Sequence, residues 1–74
     1  MKFINTGKEL LSADCIESIE PVETGKRNGI SDYSIRITTI ADNYYYYNPD
    51  KVDFMNAETA AALMERLVKE IQED

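Results

Sequence analysis

The chain has no histidine and no tryptophan, and its single cysteine is Cys15. Without histidine the commonest general base and the commonest metal ligand are missing, so no Cys-His or Ser-His pairing can form. One cysteine excludes an internal disulfide, whereas a secreted chain of 74 residues would usually carry several. The three glycines, Gly7, Gly25 and Gly29, are scattered, so there is no glycine-rich phosphate loop. Basic charge is scarce. Eight lysines and arginines stand against fourteen acids, for a net charge of −6. That opposes direct binding to nucleic acid or anionic membrane, and it permits a basic protein partner. No apolar run approaches the roughly 20 residues that cross a bilayer. The start "MKFINTGKELLS" lacks the continuous apolar stretch of a signal peptide. The expected setting is a reducing cytoplasm, a cell's own or a host's.

What is present suits one small domain over residues 1–74, with a hydrophobic share of 43%. A domain of this size buries only about 60% of the surface its unfolded chain exposes. Its core is therefore thin, and oligomerisation would support it. "NAETAAALMERLVKEIQ" places Ala60, Leu63, Met64, Leu67, Val68 and Ile71 on one stripe at helical spacing. Asn56 is a good N-cap, and Glu58 in the first turn complements the helix dipole. Phe54 and Met55, just ahead of the cap, are expected to pin the helix start against the core.

The remainder reads as strands. "YSIRITTI" alternates, with Tyr33, Ile35 and Ile37 on one face and Ser34, Arg36 and Thr38 on the other. The turn residues Ala41, Asp42 and Asn43 follow, then "YYYY", which predicts an antiparallel hairpin. Upstream, "ETGKRNG" reads as a flexible hairpin tip. "SADCIESIEPVE" reads as a single turn at Ser12 to Cys15 and a strand from about Ile16 to Val22. Ile19 then points inward, with Glu17 on the same side near an edge. "KFIN" and "KELL" around Thr6 and Gly7 suggest a small initial hairpin. The expected fold is α+β: a small antiparallel sheet of about four strands, with one C-terminal amphipathic helix packed on one face.

The candidate functional residues are aromatic and acidic. Successive strand side chains point to opposite faces, so two of Tyr44, Tyr45, Tyr46 and Tyr47 pack under the helix and two face away. Either parity is open. The outward pair has no second layer of this chain to cover it, and tyrosine is enriched at binding surfaces for its large, stiff contact area. Asp14, Glu17, Glu20 and Glu23 recur every three residues. They could imitate a phosphate track for a basic groove; the plainer reading is a solvated edge that discourages strand pairing. Asp50 and Asp53 lack the glycine and distal glutamate of a calcium loop. Cys15 is expected to be a small core or half-buried residue. No cofactor or metal is implied, and an enzyme is not expected.

The series "FIN…LLSADCIESIE…SIRI…YYYY…NAETAAALMERLVKEI" resembles a recurring type of short phage and bacterial protein, similar in layout to the flagellar FlbD-like proteins. Ile4, Asn5, Ile16, Ile19, Glu20, Ile35, Ile37 and the helix carry the likeness. It implies an initial hairpin, a β-meander and one C-terminal helix. The size and acidity also resemble phage-encoded inhibitors of bacterial immunity, including anti-CRISPR proteins. The expected function is therefore a non-enzymatic protein-binding module, a small acidic homodimer that occludes a basic partner surface. The alternatives are an oligomeric sponge for a small nucleotide signal, with bases stacked on tyrosine, and a structural domain with no dedicated partner.

Overall fold

The computed structural model describes residues 2–73. The chain is α+β, and its strands divide into two small sheets. Strands β1 (Phe3–Asn5) and β2 (Leu10–Ser12) form an antiparallel hairpin, as their sequence suggests. A 3₁₀ turn over Ala13–Cys15 leads into β3 (Ile16–Arg27), β4 (Ile30–Thr39) and β5 (Tyr44–Tyr47). These three pair antiparallel in the order β3-β4-β5. Helix α1 (Ala57–Gln72) closes the chain.

One sheet of about four strands was the expectation, so the five strands of the described residues, in a pair and a trio, are a correction. The initial hairpin does not extend the larger ladder. Among the described residues one backbone bond ties it there: Asn48 N–H to Thr6 O at 2.8 Å joins its turn to the end of β5. The second correction concerns "ETGKRNG". Pairing continues through Gly25↔Asp32, Lys26↔Ser31 and Arg27↔Ile30, so only Asn28 and Gly29 form the turn. Both have positive φ, 53° and 80°, the signature of a two-residue type I′ turn that Asn-Gly favours. A strand of 12 residues spans about 40 Å, which accounts for the longest dimension of 42 Å. Residues 23–30 are all exposed, yet the hairpin tip touches the segment ahead of the helix, where the Arg27 guanidinium carbon lies 5.5 Å from the centroid of the half-buried Phe54 ring.

The core lies between α1, the inner face of the trio and the small hairpin. Ile4, Leu11, Ile35, Ile37, Tyr47, Met55, Ala60 and Leu67 are buried. Fully burying one such aliphatic side chain stabilises by about 1.5–3 kcal/mol, and a set this short leaves a thin margin. The helical stripe holds for five of its six residues, and Val68 is half-buried beside them without packing on the core cluster. Ala60 and Leu67 are buried, and Leu63, Met64 and Ile71 pack partly against the cluster. Asn56 caps the helix by accepting from Thr59 N–H at 2.8 Å. Met55 is pinned through its backbone: Tyr33 N–H donates to its carbonyl at 2.8 Å, and its own N–H donates to Asp32 Oδ1 at 3.0 Å. The segment ahead of the helix is thereby stitched to the edge of β4 at Asp32 and Tyr33, beyond the stretch that β5 pairs.

Candidate functional site

The parity of the tyrosine run is set by the turn before it. Thr39 N–H donates to Asn43 O at 2.9 Å, and Asp42 takes a φ of 64°. This closure pairs Thr38 with Tyr44, Ile37 with Tyr45, Arg36 with Tyr46 and Ile35 with Tyr47. Residues paired across antiparallel strands share a face. Tyr45 and Tyr47 therefore join Ile35 and Ile37 under the helix, and Tyr44 and Tyr46 face away.

The inner pair is structural. Tyr47 is 1% exposed, and its hydroxyl donates to Glu70 Oε2 at 2.9 Å. Burial, then the hydrogen bond and the nearby Glu70 charge, push its pKa up to about 12. The hydroxyl thus stays neutral and anchors the last turns of α1 to the sheet. Tyr45 is half-buried against the core.

The outer pair is open, with Tyr44 at 58% and Tyr46 at 49% exposure. Between them and the edge strand lies Arg36. It pairs with Glu20 on β3, directly across the ladder, and its guanidinium carbon sits 4.6 Å from the centroid of the Tyr44 ring. The hydrogen bond to Glu20 raises the Arg36 pKa above its ordinary value, so this cation is permanent. The row Glu20–Arg36–Tyr44/Tyr46 makes a patch that is charge-compensated, flat and aromatic. Val22 extends it as a half-buried apolar neighbour across from Ser34. Helix α1 packs on the opposite face, and the turn of the small hairpin borders this one at a single corner, beside Ser34 and Tyr46.

The acidic series does not form one row. Asp14 is exposed in the 3₁₀ turn. Glu17 falls in a register shift between Ile16 and Ser18, so it sits exposed on an irregular edge rather than beside Ile19. Glu20 lies on the outer face in its ion pair. Glu23 pairs with Tyr33, on the inner-facing side, and accepts from Ser31 Oγ at 3.2 Å. A spacing of three residues alternates in a strand, which splits any such series between faces. All four nevertheless lie on or beside β3, the edge strand, with Pro21 among them. Irregular register, charge and proline on an edge are features that deter strand addition.

Some exposed groups were not singled out from sequence. Phe3 and Leu10 are 52% and 69% exposed on the outer face of the small hairpin. They are diagonal neighbours in its register. The doublets "FI" and "LL" carry the signal, because adjacent strand residues cannot both face the core. Asp50 pairs with Arg66 at 2.9 Å. Cys15 is half-buried, with its Sγ 3.0 Å from Ser12 O. Among the described residues no group of three acidic or cysteine side chains converges as a metal site, and no helix is long and apolar enough to cross a membrane. Comparison with protein family models, curated proteins and solved structures finds no match to this chain.

Proposed function

We propose that this chain is a non-enzymatic protein-binding module. Its outer sheet face joins a second copy, and its acidic edge meets a basic surface on a partner protein, which the pair occludes. The observation that carries this reading is the uncovered row of Tyr44, Tyr46 and the compensated Arg36–Glu20 pair. Interfaces favour such centres: aromatic, with arginine, and without free charge. Asp14, Glu17 and Glu23 carry no ion pair in the described residues, so they remain as a rim of negative charge. A rim charge acts mainly on the association rate and its salt dependence. Two half-exposed tyrosines supply about 200 Å², whereas a stable interface takes about 800 Å² from each partner. The contact between copies must therefore spread from the tyrosines over the outer-face neighbours Arg36, Glu20 and Val22, which leaves Asp14, Glu17 and Glu23 at the edge for the basic partner. Occlusion of a basic site is the action expected of an inhibitor of the phage anti-defence type.

Sedimentation velocity over a wide concentration range tests the reading. The wild-type chain should show a reversible dimer. Tyr44→Ser/Tyr46→Ser should remain monomeric with an unchanged far-ultraviolet spectrum. Glu17→Lys/Glu23→Lys should still dimerise but lose salt-sensitive capture of the partner. Unchanged self-association and unchanged partner capture in the tyrosine variant would show the reading to be wrong.

A further inference from the structure

A cleft of about 500 Å³ opens where β5 ends, at one corner of the outer face. Its walls are the turn of the small hairpin, through Thr6, Gly7 and Lys8, and the loop after β5, through Asn48, Lys51 and Val52. Tyr46 and Ser34 close the sheet side. The volume lies in the range of small-molecule sites, which runs from about 300 to 1,000 Å³. The charge is unusual for this chain. In a protein of net charge −6, two lysines border one cleft. Neither makes an ion pair among the described residues. Neither of the nearest acids in sequence lines the cleft: the Glu9 carboxylate is taken up by the hydroxyl of the wall residue Thr6, from which it accepts at 2.5 Å, and Asp50 is held by Arg66. Asp53 is not part of the lining.

The walls are also preformed. Asn48 binds the loop back on itself, accepting from Val52 N–H at 3.1 Å and donating to Val52 O at 3.0 Å. Its backbone N–H reaches Thr6 O at 2.8 Å, which locks the two walls together. Gly7 permits that approach, because a Cβ there would lie 2.3 Å from Asn48 O. Lys51 is held at a φ of 53°, a conformation uncommon outside glycine and asparagine. Preformed walls reduce the entropy lost on binding.

We propose that this cleft binds a small aromatic anion of the nucleoside monophosphate class, with its base stacked on the exposed Tyr46 ring and its phosphate between Lys8 and Lys51. Tyrosine stacks on any base, and two ammonium groups offer point charges to the phosphate. The inference shares Tyr46 with the contact face but not Tyr44, Lys8, Lys51 or Asn48, so the double lysine variant tests the cleft and Tyr44→Ser tests the contact face separately.

The test is calorimetric titration of the full chain with adenosine, guanosine, cytidine and uridine 5′-monophosphates. Adenosine and inorganic phosphate serve as separate probes. At least one nucleotide should bind with a dissociation constant of about a millimolar or tighter, and raise the melting temperature. Adenosine and phosphate alone should bind at least about tenfold more weakly. Lys8→Ala/Lys51→Asn should lose about tenfold or more in affinity, asparagine tolerating the backbone at position 51. Tyr46→Ser should lose binding and Tyr46→Phe should keep it, while Tyr44→Ser leaves it unchanged. No saturation by any of the four nucleotides, or binding that survives the double lysine substitution, overturns the proposal. Equal binding of inorganic phosphate and nucleotide also overturns it, since Tyr46 would then take no part.

Discussion

The two faces of the β3-β4-β5 sheet are built from the same strands and have opposite fates. On β4, Ile35 and Ile37 point under α1 and are fully buried, while Arg36 between them faces outward against Glu20. On β5, Tyr47 is 1% exposed and its neighbour Tyr46 is 49% exposed. Composition does not separate the two tyrosines. A single helix does, because it can roof one side only. The inner face holds the fold together. The outer face keeps aromatic area exposed, and it is on this area that the proposed contact rests.

The largest expected effect is on the covered side. Ile37→Ala should cost about 2–5 kcal/mol of stability in chemical denaturation, enough to unfold a domain this small in part or whole. A loss of under about 1 kcal/mol would mean the inner face is not the core.

Next comes the hydroxyl that ties this face to the helix. Tyr47 in the folded chain titrates at about 12, above the value of about 10 for an unfolded tyrosine. Below pH 10 the folded form keeps the full benefit of the neutral hydroxyl. Between the two values the unfolded chain loses its proton first, so stability falls as pH rises. The loss should reach on the order of 2–3 kcal/mol by pH 12. Tyr47→Phe should start roughly 1–2 kcal/mol less stable, and should lack this part of the alkaline loss when melts are compared across pH.

Gly7→Ala is expected to cost about 1–3 kcal/mol, because the new Cβ meets Asn48 O at 2.3 Å and the φ there is 106°. It probes the seam between the small hairpin and the end of β5. The smallest effect belongs to the bare side. Tyr44→Thr/Tyr46→Thr should change stability by about 1 kcal/mol or less, since threonine keeps the strand preference. A larger loss would show that the outer rings support the monomer itself.

Much of this comparison was legible in the sequence, for a physical reason. The α1 stripe, its Asn56 cap and the alternation of "YSIRITTI" are local patterns, and each side chain carries its own share of the signal. The split of the tyrosines into pairs follows from strand geometry alone. Which pair turns inward did not follow, because it depends on the register that the Thr39–Asn43 closure imposes. The separate β1-β2 sheet was hidden for a similar reason: whether a hairpin joins a ladder is decided by contacts distant in sequence. "ETGKRNG" misled because glycine and charge read as loop, yet the Asn28-Gly29 turn lets the strands pair up to its edges. The cleft was invisible. Lys8 and Lys51 lie far apart in the chain and come to border one cleft because the Asn48–Thr6 bond joins their two segments.

The central claim is that the outer rings are a contact surface and the inner rings are not. Nitration of tyrosines by tetranitromethane, read residue by residue by mass spectrometry at low and high protein concentration, tests it most directly. Tyr44 and Tyr46 should be modified readily in dilute solution and become protected as concentration rises, with Tyr47 resistant throughout. Equal modification of Tyr44 and Tyr46 at every concentration, with or without the partner, would contradict the account.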